Sequence, residues 1–122
     1  MNDNYTLTAA EERLADIIWQ EAPISSPALV DKAWETLGWK KSTTYTVLRR
    51  LCEKEIFING NALVKVAITR EELIANQSRQ FVNSSFGGSL PGFIASFFGG
   101  KKLSSKEAAE LKQLIEEHQE GS

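Results

Sequence analysis

Residues 38–68 read GWKKSTTYTVLRRLCEKEIFINGNALVKVAI, and the order of signals within them decides the fold. From about Ser42 to Glu53, Thr44, Val47 or Leu48, and Leu51 recur at helical spacing and predict one buried face. Ile56 to Ile58 and Leu63 to Ile68 then form two apolar or β-branched runs parted by Asn59-Gly60-Asn61. Asn-Gly between such runs signals a hairpin, because both residues tolerate the positive φ of a tight turn. A helix followed at once by a hairpin completes a winged helix-turn-helix domain if two short helices precede it.

Two are predicted. Thr8-Ala9-Ala10-Glu11 reads as a capping box, and Leu14, Ile17, Ile18 and Trp19 follow on one stripe until Ala22-Pro23 ends the helix. Ser26-Pro27 opens a second helix, with serine as cap and proline at the first helical position. Its apolar set is Leu29, Val30, Ala33, Trp34 and Leu37, and Gly38 stops it. Beyond the hairpin, Thr69-Arg70-Glu71-Glu72 is another capping box, with a helix through about Phe81 or Val82. Glycines 87, 88, 92, 99 and 100 bracket the nearly uncharged segment Phe93-Ile94-Ala95-Ser96-Phe97-Phe98. Left bare on a monomer it would be a sticky patch. Ser104-Ser105-Lys106-Glu107 is a third capping box, and it starts a last helix with Ala108, Leu111, Leu114 and Ile115 on one stripe. The expected fold is mainly α with a small β-hairpin. It comprises a winged helix-turn-helix DNA-binding domain over residues 1–69 and a helical C-terminal dimerisation arm over 70–122.

The bulk properties fit that division. A chain of 122 residues, 42% of them hydrophobic, suits a small domain with an arm. The single cysteine, Cys52, excludes an intramolecular disulfide and a multi-cysteine metal site. A charged-then-apolar leader and an apolar run of ~20 residues are both lacking, so the expectation is a cytoplasmic protein with no membrane partner. Neither paired carboxylates, a serine triad, a phosphate-cradling glycine loop nor a zinc pattern is present, and neither an enzyme nor a cofactor is expected.

The net charge of −2 opposes indiscriminate polyanion binding, yet basic residues concentrate locally. From position 40 to 54, Lys40, Lys41, Arg49, Arg50 and Lys54 face one acid, Glu53. With the buried face assigned to Thr44, Leu48 and Leu51, the opposite side presents Thr43, Thr46 and Arg50, flanked by Tyr45 and Arg49. Arginine donates two parallel hydrogen bonds to guanine, and threonine offers a hydroxyl to base edges and a methyl to thymine. Lys40, Lys41 and Ser42 sit where the free N–H groups and dipole of a helix start favour phosphate. Tyr45 and Arg49 suit flanking phosphates. On the wing, Lys65 is the one cation, an auxiliary contact at most. Double-stranded DNA is therefore the expected partner. Phe93, Ile94, Phe97, Phe98, Leu111, Leu114 and Ile115 are the expected contacts of a homodimer, since DNA sites read by dimers reach affinities that one half cannot. The acidic balance and bare wing motivate an alternative, a winged-helix adaptor that binds protein and has little affinity for DNA.

The blocks LTAAEERLADIIW, GWKKSTTYTVLRRLCEKEIF, FGGSLPGFIASFF and LSSKEAAELKQLIEE occur in an order and spacing that resemble the penicillinase-repressor family, the BlaI/MecI/CopY group. The resemblance runs from Leu7 to about Glu117. It implies a homodimeric winged-helix repressor that binds pseudo-palindromic operators and blocks transcription. On the family pattern, Thr43, Thr46 and Arg50 hold outward positions of the recognition helix, Lys41 and Ser42 its phosphate-facing end. Phe93, Ile94, Phe97, Leu111, Leu114 and Ile115 hold apolar arm positions. The resemblance also implies a signalling protease or sensor protein as partner, acting at an Asn-Phe bond in the arm, where this chain has Ser96-Phe97. The Cys-x-Cys tail of copper-responsive members is lacking, and Glu55 stands where a glycine usually ends the third helix.

Overall fold

A computed structural model describes residues 5–121, which form six helices and three short strands. The chain divides into two compact units between Phe81 and Val82.

The first unit opens with α1 (Ala9–Glu21). Its capping box forms as expected: the Glu11 N–H donates to the Thr8 hydroxyl at 3.1 Å, and the Thr8 N–H donates to the Glu11 carboxylate at 2.8 Å. Leu14, Ala15, Ile17 and Ile18 are buried. Trp19 ties α1 to later chain: its indole N–H donates to the Ile68 carbonyl at 2.9 Å, and its ring lies 5.3 Å from that of Phe57. Strand β1 (Ile24–Ser25) precedes α2 (Ser26–Leu37). The α2 cap is Ser25 rather than the expected Ser26. Ser25 Oγ accepts from the Ala28 N–H, and Ser26 is buried inside the first turn. Leu29 and Ala33 enter the core, whereas Trp34, expected on the buried stripe, is 62% exposed. It stands about 140° around the helix from Leu29, outside the face that α1 and α3 cover. Gly38 ends α2 at φ 70°, the left-handed conformation glycine adopts without steric cost.

Helix α3 (Lys41–Glu53) starts one residue before the expected position and buries Thr44, Val47, Leu48 and Leu51. It stops in a Schellman arrangement. The Glu55 N–H donates to the Cys52 carbonyl at 2.9 Å and the Ile56 N–H to the Leu51 carbonyl at 3.1 Å. This closure requires a left-handed residue, and Glu55 supplies it at φ 64° although its Cβ is disfavoured there.

Strands β2 (Phe57–Gly60) and β3 (Leu63–Val66) form the wing. The expected hairpin is part of a three-stranded antiparallel sheet, in the order β1-β3-β2, because Ile24 and Ser25 pair with Val64 and Leu63. The turn falls on Asn61-Ala62, at φ 54° and 57°, and not on Asn59-Gly60; Asn59 pairs with Val64 within the strands. A turn at Asn59-Gly60 would pair Ile56 with Leu63 and then reach the left-handed Glu55, ending the ladder after three pairs. The observed register gives four.

One charged side chain is buried among the described residues, Glu11 at 1% exposure. Lys54 Nζ donates to its carboxylate at 2.8 Å and to the Thr6 carbonyl at 2.9 Å. Burial pushes the Glu11 carboxyl up, but the Lys54 hydrogen bond, the bonds from Thr8 and the Lys54 charge together outweigh it and hold it below its ordinary 4.5.

Helix α4 (Arg70–Phe86) starts at the expected Thr69/Glu72 capping box and runs one turn past the expected end. Residues 70–81 of it belong to the first unit: Leu73 joins the core, and Gln77 Nε2 donates to the Tyr5 carbonyl at 2.7 Å. The second unit holds the last turn of α4, α5 (Leu90–Phe98) and α6 (Ser105–Glu117). Ser89 caps α5 by accepting from the Gly92 N–H at 2.9 Å. Ser104 Oγ caps α6 by accepting from the Glu107 N–H at 3.1 Å, but the Glu107 carboxylate accepts from Ser104 Oγ at 3.3 Å instead of the Ser104 N–H, so the expected capping box is half formed.

Two stability measurements test these contacts. Glu55→Gly relieves a left-handed non-glycine residue, and chemical denaturation should show a gain of about 1 kcal/mol. Glu11→Ala strands the Lys54 ammonium and should cost about 3 kcal/mol. Because the folded Glu11 carboxyl titrates below its ordinary value, its contribution is complete above pH 4.5 and is lost as pH falls through the folded value. Glu11→Gln should therefore flatten the acid limb of the stability–pH curve.

Candidate nucleic-acid interface

Five of the six helices have a side-chain hydrogen bond at the start, from Thr8, Ser25, Thr69, Ser89 and Ser104. Helix α3 alone begins on a residue without one, Lys40. Its first intrahelical bond is Thr44 N–H to Lys40 carbonyl at 3.0 Å, so the N–H groups of Lys41, Ser42 and Thr43 have no partner within the helix. Cations stand at this same end: Lys40 and Lys41 are exposed.

At 100° per residue, Ser42, Thr46, Arg49 and Glu53 fall on the line opposite the buried set, and Thr43 and Arg50 lie to one side of it. Arg49, Arg50, Ser42 and Thr43 are exposed, and Thr46 is half-buried between its neighbours. Lys40, Lys41, Arg49 and Arg50 have no ion-pair partner among the described residues. Lys54, counted with them in the sequence, is different. Its ammonium is committed to Glu11 and Thr6, at the end of α3 away from the free N–H groups. Glu53 on the outward line places a negative charge near that same end, so the basic surface is confined to the first turns and to Arg49 and Arg50.

The hydroxyls divide as well. Thr44 is fully buried and donates to the Lys40 carbonyl at 3.2 Å; Thr46 donates to the Ser42 carbonyl at 2.9 Å. Thr43 makes no hydrogen bond through its side chain among the described residues. Tyr45 is half-buried against the core and donates to Ser26 Oγ at 3.4 Å, while the Ser26 N–H donates to the Ala62 carbonyl at 2.8 Å. The start of α2 is thereby joined to both α3 and the wing turn, a link that residue types alone do not signal. Lys65 is exposed on β3 opposite Ile58, itself 54% exposed. Burial pushes the Cys52 thiol up, the Asn59 backbone bond opposes this and the Glu53 charge adds to it. A raised thiol stays protonated and unreactive at neutral pH.

In the second unit no described residue is buried. Phe97, Leu114 and Ile115 are 70%, 53% and 61% exposed, and Phe93, Ile94, Phe98 and Leu111 are half-buried. The Phe93 ring stacks edge-on with Phe86 at 5.5 Å and lies 6.2 Å from Phe97. Between α5 and α6 an open cleft of about 340 Å³ has a floor of phenylalanine and leucine, with Glu107 and Glu110 beside it. Among the described residues no cluster of His, Cys, Asp and Glu suits a metal ion. None of the helices described is long and apolar enough to cross a membrane.

Residues 7–117 match the penicillinase repressor family. A penicillinase repressor of Bacillus licheniformis is 28% identical over 116 residues, covering 92% of this chain and 91% of that protein. The methicillin resistance regulatory protein MecI of Staphylococcus aureus is 23% identical over 119 residues, covering 93% of this chain and 96% of that protein.

Proposed function

The chain belongs to the penicillinase repressor family, a family of transcriptional repressors rather than enzymes, and we propose that it represses as a homodimer bound to a pseudo-palindromic DNA operator. The observation that carries this reading is the state of α3. Four exposed cations without ion-pair partners share one helix with the chain's one uncapped helix start among the described residues.

In this reading α3 lies in the major groove. Lys40, Lys41, Ser42 and the free N–H groups of the first turn hold phosphate. Arg50 donates to guanine O6 and N7, Thr43 and Thr46 face base edges, and Arg49 and Tyr45 flank the groove. Tyr45 is half-buried, and its hydroxyl lies 3.4 Å from Ser26 Oγ, a long contact that leaves its proton able to turn to phosphate. Lys65 on the wing adds one auxiliary contact. Phe93, Ile94, Phe97, Phe98, Leu111, Leu114 and Ile115 bury against a second copy, which supplies the core the second unit lacks. The half-sites then lie about one helical turn (~34 Å) or a multiple apart. A sensor or protease acting on the arm would release the operator.

Selection from a random duplex library gives the operator. Against it, Arg50→Ala should lose about 1–3 kcal/mol and relax discrimination at one position of each half-site. Lys41→Ala should weaken all sequences alike and reduce the salt slope by about one for each protomer bound. Absence of binding to any duplex at low salt and micromolar protein would refute the reading. Phe97→Asp with Leu114→Asp should convert a dimer to monomer in sedimentation, leave the first unit folded, and cost operator affinity at least tenfold.

A further inference from the structure

We propose that Thr46 is a thymine-reading residue, selecting a T·A pair in each half-site through the thymine C5-methyl group. The inference rests on the repressor reading above and goes beyond it by assigning the base that this side chain recognises.

A threonine hydroxyl has one proton to donate. At Thr46 that proton goes to the Ser42 carbonyl at 2.9 Å. Thr43, by contrast, has no such bond among the described residues. Exposed helical threonines often bond back to the carbonyl four residues earlier. At Thr46 the bond has a chemical consequence, because the residue sits on the outward line of α3 with Arg49 and Arg50 on the next turn. While that bond is kept, the side chain does not donate to guanine O6 or N7, to adenine N7 or to thymine O4. What it presents outward is the Cγ2 methyl and an oxygen lone pair, with χ1 restricted by β-branching and fixed further by the bond.

Of the base edges in the major groove, thymine alone carries a methyl group, and adenine N6 and cytosine N4 are the donors. A T·A pair offers both a methyl and a donor. A C·G pair offers a donor without a methyl. The chemistry left at Thr46 therefore matches T·A, while the neighbouring Arg50 remains free to match guanine.

Replacing thymine by uracil, one position at a time, removes the C5-methyl and nothing else. With the selected operator and the full-length protein, wild type should lose affinity about fourfold at one thymine per half-site, the effect of one buried methyl group. Thr46→Ser, which keeps the hydroxyl and loses the methyl, should bind the thymine operator about fourfold more weakly and ignore that uracil substitution. Thr46→Val, which keeps a methyl, should retain the discrimination. A uracil scan without effect on wild type would overturn the assignment, as would Thr46→Ser showing the same sensitivity at the same position. Wild type binding no duplex at all would instead sink the repressor reading, and this assignment with it.

Discussion

The carboxylate of Glu11 fixes where α3 can lie. A carboxylate at 1% exposure is costly to desolvate, and the cost is offset only when strong donors surround it. Here one donor is the Thr8 N–H at the start of α1 and the other is the Lys54 ammonium at the end of α3. Lys54 is also held by the Thr6 carbonyl. Sliding α3 by one turn, about 5.4 Å, would strand both charges. The apolar face of α3 alone is more permissive, because Thr44, Val47, Leu48 and Leu51 repeat at spacings that a shifted helix could mimic. The ion pair therefore adds register to a contact that hydrophobic burial makes favourable but leaves loosely specified.

Much of this fold is legible because helix starts are local chemistry. Thr8 with Glu11, Thr69 with Glu72, and Ser104 with Glu107 satisfy N–H groups within four residues, so sequence spacing is sufficient to find them. Gly38 as a stop is local in the same sense. What stays hidden depends on contacts distant in sequence. Strand β1 is two residues long and exists only because β3 pairs with it, and the same pairing, with Glu55, moves the wing turn onto Asn61-Ala62. Ser25 displaces Ser26 as cap because Ser26 is drawn into the core, bonded to Ala62 and Tyr45. Residue type places Trp34 in the core, yet it is mostly exposed on the side of α2 away from Leu29.

The candidate site was legible in outline and not in detail. Charge counting finds the basic window, since Lys40, Lys41, Arg49 and Arg50 are adjacent in sequence. It cannot tell that Lys54, in the same window, spends its charge on the core. Nor can residue type tell which of Thr43, Thr44 and Thr46 keeps a free hydroxyl. That depends on helical phase and on backbone carbonyls four residues back. The arm shows the opposite case. Its apolar composition already demands cover, and the structure sharpens the demand, because from residue 82 to 121 no described side chain is buried. A unit with an apolar cleft and no interior of its own would gain stability from any partner surface that covers it.

The low net charge then becomes part of how such a repressor would discriminate. Non-specific affinity for DNA comes almost entirely from phosphate neutralisation and scales with the number of cations engaged. With Lys54 withdrawn, Glu53 on the outward line and one lysine on the wing, each protomer has few cations to offer. In the proposed complex, binding to random duplex would be correspondingly weak, and base contacts from Thr43, Thr46 and Arg50 would make up a larger share of the total. Two protomers joined through the arm, as proposed, would add those base contacts over two half-sites, whereas a single protomer would have those of one half-site alone. On that proposal, an acidic chain with one basic helix would give up general affinity, and association of its apolar arm would become the condition for tight binding at a specific site.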